Sequence, residues 1–324
     1  EVFNIFNFEH VEAYTIKLTR DAELDIEDDI TSGFMEKLAL SIKNRKKGDP
    51  VRFVHDAEMP EDLRSFLIDR IHLEENDVIV AGGRYHNSKD YIKFPKIGGA
   101  HLRYRDLPPL LHAHLESNVS IFKSMSEKDV LLSFPYHSYH YVIDLLREAA
   151  IDPQVESIKI TVYRLVSKNS KIVHTLINAA KNGKKVTVVV ELKARFDEES
   201  NMNYAHKLQD EGVKVIIGAQ GLKVHTKLLL IKRREKGGTK RYAHIGTGNF
   251  HEGTANLYCD HSLLTADPAI TNEINNVFKF FKDNYRRFSF DHLLVAPFNS
   301  RRKFYELIDR EIQNAKEGKP AYII

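Results

Sequence analysis

Residues 158–192 read IKITVYRLVSKNSKIVHTLINAAKNGKKVTVVVEL, and this stretch decides the fold class. Ile158–Tyr163 and Lys185–Leu192 are rich in β-branched and apolar residues, which is typical of buried strands. Between them, Ser170–Lys181 repeats apolar residues at helical spacing. A strand, a helix and a second strand in this order indicate a parallel pair of strands covered by a helix.

The same alternation continues on both sides of this unit. Further helices are predicted at residues 139–150, 199–210, 269–284 and 301–315, and further strands at 213–217, 224–232 and 242–245. An earlier lobe mixes predicted strands at 11–20 and 51–55 with predicted helices at 29–43 and 60–71. We therefore expect an α/β fold, with a mixed, largely parallel sheet flanked by helices, preceded by a smaller α+β lobe.

Composition sets limits on the class of protein. The chain has 324 residues and a formal net charge of +3, so nothing global demands a nucleic-acid partner. Its one cysteine allows no intrachain disulfide, and no run approaches the roughly 18 apolar residues of a membrane-spanning helix. The chain starts at Glu1 and ends on the apolar stretch 321–324, from which we expect a fragment of a longer protein.

The first chemical signal is a His-x-Lys pair within GLKVHTKLLLI, residues 221–231. The stretch is apolar enough to predict a strand, and alternation along a strand puts His225 and Lys227 on one side. A neutral imidazole is a nucleophile toward phosphorus, and a neighbouring ammonium can bind phosphoryl oxygens. A histidine satisfied at a sheet edge is the structural alternative.

The second signal is a glycine turn within RYAHIGTGNF, residues 241–250. Gly246 and Gly248 would let the backbone approach an anion, and Thr247 and Asn249 could donate further hydrogen bonds. A His-x-Lys strand followed about twenty residues later by Gly-Thr-Gly-Asn resembles a phospholipase-D-like half-site.

Two arginines follow predicted strands. Arg164 comes after Ile158–Tyr163, and Arg195 comes shortly after Lys185–Leu192. Ligands of parallel sheets gather at the carboxyl ends of the strands, where a guanidinium fork suits phosphate oxygens. Surface ion pairing is the structural alternative for either arginine. Three more cations, Lys232, Arg233 and Arg234, are interpreted as a solvated turn.

Several long strings together resemble the polyphosphate kinase family, and the resemblance covers essentially the whole chain. They lie at residues 15–25, 56–62, 163–164, 189–199, 221–227, 242–250, 257–267 and 299–302. The resemblance implies a first phospholipase-D-like catalytic domain over residues 111–292. It also implies a partial head-like domain over residues 1–110 and the start of a truncated second catalytic domain over residues 293–324.

The resemblance also implies roles for individual residues. His225 would be the phosphohistidine nucleophile, and Lys227 and Asn249 would hold phosphate oxygens. Tyr258 would contact the nucleotide, beside the glycine turn. His244 would be a supporting phosphate ligand, although a histidine buried in the sheet fits its position almost equally well. Arg164 and Arg195 would lie at the phosphate and magnesium site.

The implied reaction is reversible transfer of the γ-phosphate of ATP to inorganic polyphosphate. The implied partners are ATP or ADP, polyphosphate and Mg²⁺, with no nucleic acid and no transmembrane segment. The family also implies a homo-oligomer for the full-length protein and a cytoplasmic location compatible with peripheral membrane association.

Two departures keep alternatives open. Phospholipase D motifs usually carry an aspartate five residues after the lysine, where this chain has Lys232. The second half-motif and the N-terminal helical domain of the family are also absent. A phospholipase-D-type phosphodiesterase and a catalytically incomplete binding or assembly fragment therefore remain alternative hypotheses.

Overall fold

A computed structural model of the protein describes ten stretches of the chain and divides it into two compact units, Glu1–Asp106 and Leu107–Ile324. The described residues are 10–20, 48–74, 76–85, 91–92, 94–105, 107–116, 118–165, 169–194, 197–219 and 221–324. The helix predicted at 29–43 and the side chain of Arg195 lie outside them.

The first unit contains a three-stranded sheet in the order β1-β2-β3. Strand β2 pairs antiparallel with β1 and parallel with β3. The regular elements of its described part are β1 (Ile16–Arg20), β2 (Pro50–Asp56), α1 (Glu61–Ile71) and β3 (Val78–Gly82), followed by a 3₁₀ turn at Ala100–Leu102.

The second unit contains a seven-stranded sheet and its helices. Its strands are β4 (Val130–Ser133), β5 (Val155–Val162), β6 (Lys185–Val190), β7 (Lys214–Ile217), β8 (Lys227–Glu235), β9 (Gly238–Gly246) and β10 (His261–Thr265). Its helices, over the described residues, are α2 (Ile121–Glu127), α3 (His140–Ile151), α4 (Lys171–Lys181), α5 (Glu198–Asp210), α6 (Glu252–Ala255), α7 (Pro268–Lys282) and α8 (Ser300–Lys316).

The large sheet is mixed, with the strand order β4-β10-β9-β8-β5-β6-β7. Strands β5, β6 and β7 are parallel neighbours, as the strand–helix–strand pattern predicts. Strands β8 and β10 run opposite to the other five, so the remaining neighbouring pairs are antiparallel. The expected α/β fold with a mixed sheet flanked by helices is confirmed, but only two of the six neighbouring strand pairs are parallel, so the sheet is less parallel than expected.

Local sequence explains where two of the long helices begin. Ser170 caps α4, because its side chain accepts the Val173 N–H. Asp267 caps α7 by accepting the Ala269 N–H at 2.7 Å, and proline follows at the first helical position. Helix α7 then buries Ile274, Val277 and Phe278 in a cluster with apolar residues of β8 and β9.

Strand directions bring several loops to one edge of the large sheet. Strands β5, β6 and β9 end there, while the antiparallel strands β8 and β10 begin there. The register places Gly246 opposite both Lys227 and Ser262. The His-x-Lys pair, the glycine turn and the residue after β5 therefore share this edge, which we call the site edge.

Several strand boundaries differ from the sequence prediction: β1 begins at Ile16 rather than at residue 11, β5 at Val155 rather than 158, and β9 at Gly238 rather than 242. A further difference lies at the site edge. Strand β8 starts at Lys227 rather than near residue 224, so His225 lies in the segment that leads into the strand. The reason is the Thr161 side chain, whose hydroxyl donates to the Thr226 carbonyl at 2.7 Å and accepts the Leu228 N–H at 2.9 Å. The Thr161 side chain thus makes the hydrogen bonds that a neighbouring strand would otherwise make at this point.

In the part of the chain that the structure describes, no helix has the length and apolarity to cross a membrane.

Candidate active site

His225 is exposed at the site edge and packs against an aromatic ring. Its imidazole stands edge-on to the Tyr163 ring, with ring centroids 4.6 Å apart and planes at 87°. Tyr163 follows the last residue of β5, so the end of that strand holds the imidazole from one side. Such aromatic pairs contribute about 0.5–1.5 kcal/mol beyond the area that they bury.

His225 precedes β8, so the predicted alternation along one strand does not apply to it, but Lys227, the first residue of β8, still lies beside it. Its Nζ donates to the His225 carbonyl at 2.5 Å and lies 5.3 Å from the centroid of the Tyr163 ring. The Lys227 side chain is buried, and this burial lowers the pKa of its ammonium to about 8. The nearby Asp260 carboxylate opposes the shift, and the Arg164 guanidinium adds to it.

The surroundings of His225 favour its neutral form. Partial burial, followed by the charges of Lys227, Lys223 and Arg164, lowers the pKa of His225 below its ordinary value. An apolar cavity of about 210 Å³ borders the same segment, with Leu222 and Phe280 among its lining residues. The imidazole is therefore neutral, with a lone pair free for attack, near neutral pH.

The glycine turn is shaped by a carboxylate that the motif analysis did not single out. Asp260 accepts the Thr247 hydroxyl at 2.8 Å, and a Cβ on Gly248 would lie only 2.4 Å from its Oδ2. Thr247 also accepts the His261 N–H at 2.9 Å. Glycine at 248 thus allows close approach of Asp260, and the Thr247 hydroxyl is engaged by protein groups.

His244 lies beneath the turn. It is 2% exposed, its Nε2 is 2.8 Å from the Ser262 hydroxyl, and burial lowers its pKa to about 4. A Cβ on Gly246 would lie 2.9 Å from the His244 ring, so the imidazole supports the turn from within the sheet. Asn249 keeps a buried Oδ1 for which the described residues offer no hydrogen-bond partner.

The remaining predicted residues lie at different distances from this centre. Arg164 contacts the Tyr163 ring and pairs with Asp197, Nε to Oδ2 at 2.6 Å. Tyr258, which is 62% exposed, follows α6. Lys232, at the place of the phospholipase D aspartate, pairs with Glu156 at 2.8 Å, farther along β8. Arg233 and Arg234 also pair with carboxylates there, and all three cations lie within β8, so their interpretation as a solvated turn is wrong.

Two buried polar residues hold the site edge together, and sequence reasoning missed both. The Glu191 carboxylate accepts the Lys193 N–H with one oxygen and the Val224 N–H with the other, each at 2.8 Å. Asn201 donates to the carbonyls of Tyr163 and Glu191, at 2.8 and 2.9 Å. A glutamate directly after an apolar strand was the available signal, because a buried carboxylate needs partners.

The arrangement suits chemistry on a phosphate. An exposed neutral imidazole is the nucleophile available, and the Lys227 ammonium beside it can bind a phosphoryl oxygen. Arg164 adds a fork of donors at the end of β5. The fold and this edge define an α/β protein with a histidine-centred candidate site, whose cations suit an oxyanion.

Comparisons with known proteins identify the family. The pattern of "Polyphosphate kinase C-terminal domain 1" matches residues 120–287, and that of "Polyphosphate kinase middle domain" matches residues 1–94. The chain belongs to the polyphosphate kinase family.

Individual relatives agree with this assignment. The chain is 50% identical over 320 residues to the polyphosphate kinase of Escherichia coli K12 and 51% identical to that of Salmonella typhimurium. Each alignment covers 98% of this chain and 46% of the relative. The crystal structure of polyphosphate kinase from Porphyromonas gingivalis matches with a TM-score of 0.74 and 34% identity, over 95% of this chain and 44% of that one. The chain thus spans about half the length of these relatives.

Proposed function

We propose that this chain carries the nucleophile of a polyphosphate kinase, and that His225 forms a phosphohistidine on the path between ATP and inorganic polyphosphate. The observation that carries the proposal is the exposed His225 imidazole, held neutral beside the Lys227 ammonium. Family membership supplies the two substrates.

The reaction would take two displacements. In the first, the imidazole lone pair forms a bond to the γ-phosphorus, while the bond from that phosphorus to the β–γ bridging oxygen breaks and releases ADP. In the second, a terminal oxygen of polyphosphate attacks the same phosphorus, and the electron pair of the P–N bond returns to the imidazole. Both steps are reversible, so the same residues would also make ATP from polyphosphate and ADP.

Three cations would stabilise the charge on the transferring group. Lys227 would bind an oxygen of the phosphoryl group that is being transferred. Arg164 and Arg195 would hold further phosphate oxygens. The glycine turn and the ring beneath it would form one wall of the phosphate site, through His244, Gly246, Thr247 and Gly248. The Asn249 side-chain N–H would donate to a phosphate oxygen. Tyr258 would contact the nucleotide.

Mg²⁺ would enter with the nucleotide. Among the described residues, no group of three His, Cys, Asp or Glu side chains is arranged to hold a metal ion. Arg164 and Arg195 carry the same sign of charge as the ion, so they would bind phosphate oxygens rather than the metal. Magnesium is commonly held largely by substrate phosphates, where it neutralises their charge. We further propose a cytoplasmic homo-oligomer for the full-length protein.

A phosphodiesterase of the phospholipase D type is the second candidate, favoured by the combination of His225, Lys227 and the glycine turn. The two reactions differ in which phosphorus the histidine attacks. Incubation with ATP labelled in the γ-phosphate should label the protein, whereas ATP labelled in the α-phosphate should not. Label from the α-position would show nucleotidyl transfer and overturn the kinase proposal, and cleavage of a phosphodiester substrate would establish diester chemistry.

A further inference from the structure

Three histidines that have no role in the proposed reaction lie close together at the far end of the site edge, near the end of β4. The centroids of the His112 and His137 rings are 5.2 Å apart, and those of His112 and His114 are 5.8 Å apart. We call these residues the histidine cluster. The segment that carries His112 is fixed, because Leu110 N–H donates to the Tyr136 carbonyl at 2.7 Å and Leu115 is buried.

Backbone hydrogen bonds fix the tautomers of two of these rings. The Nδ1 atom of His112 accepts the His114 N–H at 3.2 Å, and the Nδ1 atom of His137 accepts the Ser133 N–H at 2.9 Å. A nitrogen that accepts from an N–H carries no proton, so each neutral ring has its proton on Nε2. Both rings therefore present an N–H donor rather than a lone pair.

A ring that presents an Nε2–H group suits an oxyanion as its ligand rather than a metal ion. A histidine that binds a metal through Nε2 donates its Nδ1–H to a carbonyl or carboxylate, which is the opposite of the pattern here. An oxyanion, by contrast, accepts hydrogen bonds from Nε2–H groups. Burial lowers the pKa of His112, which favours its neutral form, and its basic neighbours His137, His114 and Lys128 act in the same direction.

The histidine cluster is connected to the reaction centre along the sheet. Ser133, which holds His137, is paired with His261, and their side chains are 3.1 Å apart. His261 in turn donates its N–H to Thr247 of the glycine turn. Strand β4 is three positions from β8 in the sheet, which corresponds to roughly 14 Å between the strand ends.

We propose that His112 and His137 form an accessory oxyanion subsite that holds a phosphate group of the polyphosphate chain beyond the one at His225. This proposal rests on the proposed function, since it takes the polymer as the ligand. A polymer that lies along the site edge would contact the reaction centre and this subsite at once, whereas a nucleotide at His225 would not need it.

The test removes the two Nε2–H groups and keeps an acceptor for each backbone N–H; the asparagine NH₂ group is attached at Cγ and does not reach the position of Nε2. In the double variant His112→Asn/His137→Asn, each carboxamide oxygen can still accept the backbone N–H, while the Nε2–H group is lost. His174→Asn, on the exposed face of α4, is the matched control. Calorimetric titration with long-chain polyphosphate should show a roughly tenfold weaker affinity for the double variant, the effect of losing two hydrogen bonds. The control should bind like the parent, and ATP should still phosphorylate His225 in both.

Equal affinity of the double variant and the parent would overturn the subsite alone. A parent that fails to bind long-chain polyphosphate would overturn the subsite and the proposed function together. Binding that weakens in the double variant, in a chain whose His225 takes no phosphate, would support the subsite and contradict only the phosphohistidine. Nitrogen-15 spectra of the imidazoles give a direct check, because Nδ1–H tautomers at His112 and His137 would also contradict the subsite.

Discussion

The Glu191 carboxylate accepts the backbone N–H of Val224, the residue before His225, at 2.8 Å. Its other oxygen accepts the Lys193 N–H, so one buried side chain ties the loop after β6 to the segment that carries the candidate nucleophile. The position of His225 is thus set by its neighbours' backbone as well as by the ring of Tyr163.

Glu191→Gln should therefore loosen this segment. A carboxamide has a single acceptor oxygen, so either Val224 N–H or Lys193 N–H would face an NH₂ group in a buried place. We expect the free energy of unfolding to fall by about 1–3 kcal/mol and phosphate transfer to His225 to slow. Denaturant titration and a time course of labelling measure the two effects. Glu127→Gln, at an exposed site on α2, should change neither, and an unaltered E191Q protein would contradict the proposed anchoring.

The pH dependence of phosphate transfer should reflect two shifted groups. Lys227, with a pKa of about 8, is charged below that pH and neutral above it, so transfer to His225 should decline as pH rises through about 8. The lowered pKa of His225 keeps its imidazole neutral below the ordinary value of about 6.5, so the acid limb should lie below that pH. Initial rates of labelling between pH 5 and 10 would show both limbs.

Lys227→Arg supplies the control for this profile. Arginine keeps its charge throughout the range, so the alkaline limb should disappear, although its different shape should lower the maximal rate. An alkaline limb that persists near pH 8 in the variant would assign the ionisation to another group.

Gly248→Ala should disturb the glycine turn. The added methyl group would lie 2.4 Å from the Asp260 carboxylate, so either the turn or Asp260 must move. We expect a loss of about 1–3 kcal/mol in the free energy of unfolding, together with slower phosphate transfer. Gly237→Ala, where a Cβ meets no atom within 4 Å, is the matched control. Equal stability of the two variants would show that Asp260 does not constrain the turn.

Periodicity in the sequence predicted the main strands and helices of the second unit, because burial of one face repeats at the spacing of each element. It missed β4 and β10, which are short and whose apolar residues are mostly leucine, whereas the equally short β7 carries the β-branched residues typical of strands. The sequence also predicted that Arg164 follows a strand, but it did not predict the direction of β9, which brings the glycine turn to the same edge.

What the sequence could not reveal are contacts between distant residues. Glu191 and Val224 are 33 positions apart, and no local pattern links a carboxylate to a particular N–H across that separation. The same applies to the Thr161 hydroxyl, which ends the β8 ladder before His225, and to Asp260, which explains the glycine at 248. Apolar spacing reports burial, but it does not report which polar partners are buried together.

The central claim is that His225 accepts a phosphate. The chain and its His225→Ala variant, incubated with magnesium and ATP or polyphosphate, should differ by one acid-labile phosphate in intact mass, present on the parent alone. His174→Ala should be phosphorylated like the parent. A parent without phosphate, or an equal phosphate on the His225→Ala variant, would contradict the assignment of His225 as the nucleophile.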